Sequence, residues 1–398
     1  MSATPERLDR LIAALDPDEA GDIGEPIREA VRAVPRHLFI PPVGLVVEEE
    51  GAPYLIDRDA DPGTWWDTVY SRSIIVTQLN DGATELRGLR GDSTSSASAP
   101  STVADLLNHL QPGPGHRILE VGTGTGWTAA LLSHLVGDHG EVTSVEVDPQ
   151  VAGQAAKNLA AAGVRARLLV GDGALGCSDG EPYDRVHVTC GVRDIPYAWV
   201  EQCRPGGVIV LPWHPGYGTS HALRLEVQED GTAVGRVVGY AGYMMMRSQR
   251  PEAGEEPPPG QERRHYRSAL DPRALDQLGA GVDLAIGALT GLRSHTSEGA
   301  DEDGPYVRTW VSDPDDTRSW AVVTWRPGSA DHGVQQVGER PVWDEVLRAY
   351  ARWVSWGEPH WQRYGITVAP GGQSIWLDTP ERVLSSAGAC TDQHTCHG

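Results

Sequence analysis

The spacing of apolar residues divides the first hundred positions into two parts. Residues 6–40 repeat apolar side chains at helical intervals, and the pattern ends at Pro35 and the Pro41-Pro42 pair. From 43 to 97 the pattern is broken by acidic, glycine and serine stretches, with one strand-like run at 73–78. We therefore predict a helical cap at the N-terminus, followed by loops of the kind that often cover an active site.

Segments with helical periodicity alternate with short apolar strands between residues 101 and 246. The strand-like runs include RILEV, EVTSVEVD, ARLLVGDG and VIVLPW. Strands that alternate with helices form an open, mainly parallel sheet with helices on both faces. The predicted fold class is therefore α/β, with a Rossmann-like doubly wound sheet.

The last part of the chain has a different pattern. Residues 249–262 are rich in proline, glutamate and glycine, which is typical of an exposed linker. Residues 263–398 mix short Trp- and Val-rich strands with one amphipathic helix, PVWDEVLRAYARWVSWG, and predict a small α+β domain with a flexible tail. Four tryptophans on or just after that helix predict either a small core or a surface that grips a peptide: Trp343, Trp353, Trp356 and Trp361.

These patterns give four predicted units. They are the helical cap with active-site loops (1–97), the doubly wound sheet (98–248), the linker (249–262) and the C-terminal α+β domain for substrate recognition (263–398).

Charge and composition narrow the possible partners and location. The chain of 398 residues carries 33 Lys and Arg against 55 Asp and Glu, a formal net charge of −22. Nucleic-acid affinity depends on basic surface, so we expect no nucleic-acid partner. No apolar run approaches the ~20 residues needed to cross a bilayer. Charged residues also occupy the place of a signal-peptide core, so we expect a cytoplasmic monomer without a membrane partner.

The cysteines favour reduced thiols and no metal site. Their number is odd and their positions are scattered, unlike a disulfide framework: Cys177, Cys190, Cys203, Cys390 and Cys396. The segment 390–397 holds two Cys and two His and is a conceivable metal clip. Because it is a terminus with no second half-site, we favour a frayed tail and predict no metal.

A glycine-rich turn is the most informative stretch. The run RILEVGTGTGW ends an apolar strand at Glu120, and glycines at every second position from Gly122 to Gly126 precede a helix. Glycines there let the backbone turn sharply and approach a ligand. A dinucleotide fingerprint requires Gly-x-Gly-x-x-Gly, which would place its last glycine at Trp127. The spacing instead resembles the first motif of class I methyltransferases, whose cofactor S-adenosylmethionine has no pyrophosphate.

Acidic residues follow the next two strands. Glu146 stands 24 positions after Gly122, near the spacing at which a carboxylate accepts hydrogen bonds from ribose hydroxyls. Asp148 competes for that role, but we favour Glu146 because it falls at the predicted strand end, whereas Asp148 and Pro149 already turn into the next helix. Asp172 is placed to accept a hydrogen bond from an adenine amino group, although each carboxylate has an alternative role as a turn residue or helix cap. The predicted cofactor residues are Glu120, Gly122, Thr123, Gly124, Thr125, Gly126, Trp127, Glu146, Val147, Gly171, Asp172 and Gly173.

Residues 20–215 carry several motifs beyond this turn. These are VPRHLFIPP, a Ser-x-Pro at Ser98–Pro100, LEVGTGTGWTAALLS, GDGALG, EPYDRVHVTCGV and RPGGVIVLPW. Together they resemble the protein-L-isoaspartate O-methyltransferases. The resemblance implies a class I methyltransferase fold, S-adenosylmethionine as cofactor and methyl transfer to a side-chain carboxylate.

The same resemblance points to a serine that handles the substrate. In that family the Ser of a Ser-Gln-Pro-Tyr segment contacts the substrate carboxylate, which implies this role for Ser98, with Ser96 and Ser101 as neighbouring candidates. Ala and Ser replace Gln and Tyr here, so substrate handling is expected to differ. The alternative is that Ser98 caps the helix after Pro100. An anionic substrate also needs local positive charge, for which loop residues Arg72, Arg193 and Arg247 are candidates.

The regions outside these motifs are similar to an extended variant. The loop TVYSRSIIVTQ, the Ser-rich stretch and the C-terminal extension are similar to actinobacterial homologues associated with ribosomal peptide products (lanthipeptides, lasso peptides and graspetides). Those relatives methylate one chosen Asp of a modified or macrocyclic precursor peptide, and the ester closes to aspartimide, which persists or hydrolyses to isoaspartate. Two alternatives stay open: general isoaspartyl repair, and a cofactor-binding scaffold without catalysis.

Overall fold

The computed structural model describes residues 4–15, 23–47, 52–250, 263–316 and 318–388. In these ranges the helices are α1 (Pro5–Ala13), α2 (Glu25–Ala33), α3 (Pro62–Val69), α4 (Pro100–Leu110), α5 (Trp127–Val136), α6 (Pro149–Ala161), α7 (Tyr197–Glu201), α8 (Pro272–Gln277), α9 (Ala280–Thr290) and α10 (Val342–Ser355). The strands before the predicted linker are β1 (Val43–Val47), β2 (Tyr54–Asp57), β3 (Ile74–Leu79), β4 (Ser93–Ala97), β5 (Arg117–Val121), β6 (Glu141–Glu146), β7 (Arg167–Val170), β8 (Tyr183–Val188), β9 (Cys203–Trp213), β10 (His221–Val227) and β11 (Ala233–Tyr240). Those after it are β12 (Arg263–Ser268), β13 (Arg293–Asp301), β14 (Gly304–Ser312), β15 (Trp320–Trp325), β16 (His332–Val337), β17 (Tyr364–Ala369), β18 (Gly372–Leu377) and β19 (Val383–Gly388).

The central sheet has ten strands in the order β19-β18-β17-β11-β10-β9-β8-β5-β6-β7. Strands β5 to β9 pair in parallel, and the other neighbours pair antiparallel. Side chains alternate between the two faces, so Ile118 packs with α4 and α5 while Leu119 packs with α7 and the C-terminal helices. The predicted α/β doubly wound fold is confirmed. The chain reverses direction across the sheet between β5 and β8, where such folds bind ligands.

Residues 43–97 form a sheet where we predicted mostly loops. The strands pair antiparallel in the order β2-β1-β3-β4, and α3 packs beside them. Strand β4 consists of Ser, Thr and Ala and has no apolar alternation for a sequence pattern to detect. Its backbone groups nevertheless pair with β3, which brings the serine-rich stretch to the edge of the central sheet.

Arg36 joins this small sheet to the helical cap. Its side chain is 1% exposed, and its guanidinium donates to the carbonyl oxygens of Val69 (2.9 Å), Ser73 (3.1 Å) and Ser98 (2.9 Å). The guanidinium also lies 5.5 Å from the ring centre of Trp127. Burial lowers the pKa of Arg36 to about 9. One buried cation therefore fixes the segment around Ser98.

The C-terminal region divides between two sheets, which differs from the single α+β domain that we predicted for 263–398. Strands β12 to β16 form a separate antiparallel sheet in the order β12-β16-β15-β14-β13. Strands β17 to β19 instead extend the central sheet, because β17 pairs with the edge of β11. Trp343 and Trp353 are buried in the core between the sheets, and Trp356 and Trp361 pack against it. Their arrangement is that of a core.

The predicted linker and the Cys- and His-containing tail lie largely outside the described residues, whereas three of the cysteines lie within them. Residues 251–262 of the predicted linker and the cysteines and histidines of 390–397 lie outside them. Cys177, Cys190 and Cys203 are free thiols, and burial raises the pKa of both Cys190 and Cys203 to about 12. Among the helices described, none combines the length and apolar character that crossing a bilayer requires.

Candidate cofactor and substrate site

A cavity of about 370 Å³ lies at the carboxyl ends of β5 and β6. Its walls come from the glycine turn after β5, the end of β6, the segment around β4 and the segment that follows β11. It is lined mainly by apolar surface with a few polar groups, as small-molecule sites usually are. The predicted residues that line it are Ser96, Ser98, Gly122, Thr123, Gly124, Thr125, Trp127, Glu146, Val147, Asp172 and Gly173.

The glycine turn has the geometry that its sequence requires. Gly122 has a φ of 95°, and a Cβ at that position would lie 2.5 Å from Thr189 Oγ1. Gly124 has a φ of 54°. Both conformations are in the left-handed region that favours glycine, and the missing side chain at Gly122 lets the turn pack against Thr189. Gly126 does not line the cavity, because its Cα faces Ala155 of α6.

Glu146, which the sequence favoured over Asp148, differs from it in position. Glu146 is 9% exposed and lines the cavity; its Oε2 accepts from the amide of Gly124 (2.9 Å) and its Oε1 from that of Asp148 (3.1 Å). The Asp148 carboxylate caps α6 and accepts from Gln78 and Arg247. Burial alone would raise the pKa of Asp148, but these hydrogen bonds lower it. Of the two carboxylates, Glu146 is therefore the one that lines the cavity.

The remaining predicted residues take different positions. Asp172 is exposed at the cavity rim, where it accepts from the amide of Ala174 (2.9 Å). Gly171 and Ser101 do not line the cavity, and Ser101 belongs to the first turn of α4. Glu120 does not line it either, because its side chain is fully buried under the sheet.

Glu120 is linked to the glycine turn through two buried hydroxyl groups. Its Oε2 is joined to the Ser144 hydroxyl at 2.5 Å, and Ser144 is joined to the Thr123 hydroxyl at 2.6 Å. Burial, reinforced by the charge of Glu146 and opposed by the Ser144 hydrogen bond, raises the pKa of Glu120 to about 8. His187 lies opposite Glu120 on β8, and burial lowers its pKa to about 4. Both groups are mostly neutral at pH 7.

We expect this buried carboxyl to give the protein a specific pH dependence. A folded pKa of about 8, above the unfolded value, means that the native state retains a proton that the unfolded state loses, so stability falls as pH rises from about 5 to 8. The loss is on the order of 3 kcal/mol. Glu120→Gln has the same shape without the charge and should lack this loss in urea unfolding followed by circular dichroism. Parallel pH profiles for the two proteins would contradict the expectation.

Ser98 lies between β4 and α4, beside a tyrosine that the sequence did not indicate. The N-cap of α4 is Ala99, so Ser98 is not the helix cap, and the α4 N-terminus has no side-chain cap. Tyr243 lines the cavity with its hydroxyl buried beside Ser98. Burial and the charges of Glu120 and Asp105 raise the pKa of Tyr243, so its hydroxyl stays protonated and able to donate.

The three candidate arginines have different surroundings. Arg247 lines the cavity but is paired with Asp81 (2.8 Å) and Asp148 (3.2 Å). Arg193 lines a neighbouring cavity, and Arg72 is exposed and lines neither. No sequence motif indicated Tyr243 or the methionines Met244–Met246 that follow it, since they reach the cavity only through the pairing of the segment after β11 with Gly191.

Comparison with known proteins identifies the family of this chain. The family model described as protein-L-isoaspartate(D-aspartate) O-methyltransferase matches residues 73–250, which include all the residues that line the cavity. A protein-L-isoaspartate O-methyltransferase of Methanothrix thermoacetophila is 34% identical over 207 residues, which cover 52% of this chain and 80% of the relative. The chain belongs to the protein-L-isoaspartate O-methyltransferase family.

Other members of the protein-L-isoaspartate O-methyltransferase family match over different lengths. A relative of that name from Methanopyrus kandleri is 42% identical over 139 residues, or 34% of this chain. The chain spans 60% of that relative's length. A solved protein-L-isoaspartate O-methyltransferase structure aligns with 94% of this chain and 100% of its own, with a TM-score of 0.53 and 21% identity. That likeness shows the fold, a class I methyltransferase fold, and its coverage extends into the C-terminal region.

Proposed function

We propose that this protein is an S-adenosylmethionine-dependent carboxyl O-methyltransferase that methylates an aspartyl side chain in a peptide. The observation that carries the proposal is one cavity that brings together the glycine turn, Glu146 and Ser98. The glycine turn and Glu146 suit a nucleoside-containing cofactor, and Ser98 suits the carboxylate of a substrate. Membership in the protein-L-isoaspartate O-methyltransferase family supports the same chemistry.

The residues present fit S-adenosylmethionine. Glu146 offers a nearly buried carboxylate for ribose hydroxyls, and Asp172 offers an exposed one at the rim for an adenine amino group. The backbone of the glycine turn forms part of the cavity wall at Gly122 and Gly124, where a ligand can approach it closely. When bound, this cofactor supplies an electrophilic methyl group on a sulfonium.

The chain's own residues then have to orient a substrate carboxylate. An aspartyl carboxylate is ionised at pH 7 and is itself the nucleophile, so no strong general base is required. The Ser98 hydroxyl donates a hydrogen bond to it, and the uncapped amides at the start of α4 favour its negative charge. Tyr243 adds a second protonated hydroxyl beside Ser98. Correct placement of the reacting groups supplies most of the rate.

We expect Ser98→Ala to lower kcat/KM for the peptide about tenfold, because one hydrogen bond to an anion is lost. The dissociation constant of S-adenosylhomocysteine should stay within about twofold, since Glu146 and the glycine turn are unchanged. Ser101→Ala is the matched control, because Ser101 does not line the cavity. Steady-state kinetics and calorimetry measure the two effects. Equal losses in the two variants would remove Ser98 from the mechanism.

The finer proposal is that the substrate is one chosen Asp of a ribosomally made, modified peptide. After methylation, the following backbone nitrogen attacks the ester carbonyl carbon, the C–N bond of a five-membered imide forms, and methanol leaves with the amide proton. The product is aspartimide, which can hydrolyse to isoaspartate. Ala99 and Ser101 in place of Gln and Tyr support a substrate different from that of a general enzyme.

General repair of isoaspartyl proteins is the second candidate. The names of the matched relatives favour it. It is also favoured by the solved structure of that name, whose fold extends over most of this chain and therefore includes much of the C-terminal region.

A comparison of three peptides tests these proposals. One peptide carries a single isoaspartate, the second has Asp at that position, and the third is a lactam-cyclised form of the second. Mass spectrometry follows S-adenosylhomocysteine, the gain of one methyl group and the later loss of methanol. Methylation of the linear isoaspartyl peptide supports repair, and methylation of Asp in the cyclic peptide supports tailoring. Binding of S-adenosylmethionine without methylation of any peptide would leave a scaffold and overturn the catalytic proposal.

A further inference from the structure

A second, smaller cavity of about 140 Å³ lies beside the first. Met245 lines both cavities, so the two are neighbours. The second cavity is bounded by Arg193 and His214 from the central sheet region and by Arg293 and Ser294 from β13. It therefore lies at the junction between the catalytic domain and the C-terminal extension.

The junction around this cavity is built from buried contacts. The Asp283 carboxylate of α9 is nearly buried and accepts from the amides of Gly218 (2.8 Å) and Thr219 (3.1 Å). The side chain of Gln373 on β18 donates to the Arg193 carbonyl (2.9 Å) and accepts from the Ile195 amide (3.0 Å). These bonds fix both walls of the cavity, so it is preorganised for a ligand.

The charges in this cavity are unusual for so acidic a protein. The half-buried Arg293 guanidinium forms no hydrogen bond or ion pair with any part of the chain that the structure describes. Arg193 is paired with Asp194 (3.0 Å) and lies 3.9 Å from Asp315, which is 85% exposed. Burial and the nearby charge of Arg193 lower the pKa of Arg293, and the carboxylates of Asp315 and Asp194 only partly oppose that shift. A cation that is half-buried near a like charge is relieved by an anion.

His214 completes the lining. Burial lowers the pKa of His214, opposed by the Asp283 carboxylate and reinforced by Arg293 and His221. An imidazole that is mostly neutral at pH 7 still carries one ring N–H, which can donate a hydrogen bond to an anion. The cavity thus presents a planar guanidinium fork and further donors, the arrangement that suits a carboxylate.

We propose that this cavity binds a second carboxylate of the peptide substrate, an Asp or Glu side chain close to the residue that is methylated. The identity of the ligand as a peptide rests on the proposed function. The net charge of −22 repels an acidic peptide, and Arg293 provides the local attraction that offsets it. Because Arg293 belongs to β13, the C-terminal extension selects peptides with an acidic residue near the methylation site.

The test is equilibrium binding of fluorescent peptides to the full chain saturated with S-adenosylhomocysteine. Every peptide is acetylated and amidated, and each sequence is made twice, once with a central Asp and once with a central isoaspartate. One series places a single Glu at each of the neighbouring positions, and the reference peptide has Gln throughout. We expect at least one Glu peptide to bind about tenfold more tightly than the reference.

Variants assign that preference to the cavity. Arg293→Gln should reduce it to less than about threefold, and Arg293→Lys, which keeps the charge but loses the fork, should retain an intermediate preference. Arg348→Gln makes the same charge change at an exposed position on α10 that lines neither cavity, and should leave the preference unchanged. Urea unfolding of each variant excludes a folding defect.

Two outcomes would overturn the proposal: no preference for any Glu peptide, or equal effects of Arg293→Gln and Arg348→Gln. Methyl transfer is measured on the same peptides. An Arg293-dependent preference without methyl transfer would support the carboxylate site and refute the proposed activity. Methyl transfer without the preference would support the activity and refute the carboxylate site.

Discussion

Replacing Glu146 with alanine is expected to weaken binding of S-adenosylhomocysteine by about 100-fold or more, because two charge-assisted hydrogen bonds to ribose are lost. The loss should be large since Glu146 is 9% exposed and its bonds form away from bulk water. Its carboxylate also holds the Gly124 amide, so the alanine variant loosens the glycine turn. Isothermal titration calorimetry measures the dissociation constant directly.

Two further variants show whether that loss has the proposed cause. Glu146→Gln keeps one acceptor oxygen and the shape of the side chain, and should lose about tenfold. Asp172→Asn changes an exposed carboxylate whose bonds are screened by water, and should lose only a few-fold, about threefold. Equal binding by wild type and Glu146→Ala would refute the assignment of the cavity to this cofactor.

The largest loss of stability is expected for Arg36→Met. The free energy of unfolding should fall by about 3–5 kcal/mol, because three nearly buried carbonyls lose their donor at once. These carbonyls belong to Val69, Ser73 and Ser98, which lie in three different segments that the one guanidinium joins to the helical cap. Urea unfolding followed by circular dichroism gives the difference between variant and wild type.

Arg32→Met is the matched control for this experiment. Arg32 lies on α2 and pairs with Glu25 at 2.6 Å, but both side chains are substantially exposed. Such surface pairs contribute little, so the loss should be at most about 1 kcal/mol. Arg36→Lys keeps the charge with fewer donors and should fall between the two. If Arg36→Met unfolded at the same urea concentration as Arg32→Met, Arg36 would have no special role in holding Ser98.

The parts of the site that the sequence predicted are those encoded by local spacing. A strand, three glycines and a helix in immediate succession allow few backbone conformations. The turn from Gly122 could therefore be predicted from the sequence alone. Glu146 ends β6 and Asp172 comes shortly after β7, and parallel strands end at the same edge of a sheet. The sequence favoured Glu146 over Asp148 because Asp148 and Pro149 already turn into the next helix, and in the structure Asp148 caps α6.

The parts that were missed depend on contacts between distant segments. Tyr243 lies beside Ser98 only because the segment after β11 returns across the cavity, and Arg293 meets Arg193 only through the docking of β13. Ser98 is not the helix cap because α4 starts at Pro100, which makes Ala99 the N-cap. The sequence did not define that boundary to within one residue. Strand β4 lacks apolar alternation, so its pairing with β3 had no periodic signal.

The pairing of β17 with β11 affects how the protein is made. Residues 241–363 separate the two strands, so a ribosome that elongates at roughly 5–20 residues per second needs on the order of ten seconds to deliver the second after the first. During that interval the nascent chain carries an open β edge, the kind of surface that sticks to other chains. Yield in a cell should therefore depend on chaperones that shield the emerging polypeptide, and on translation speed through this stretch.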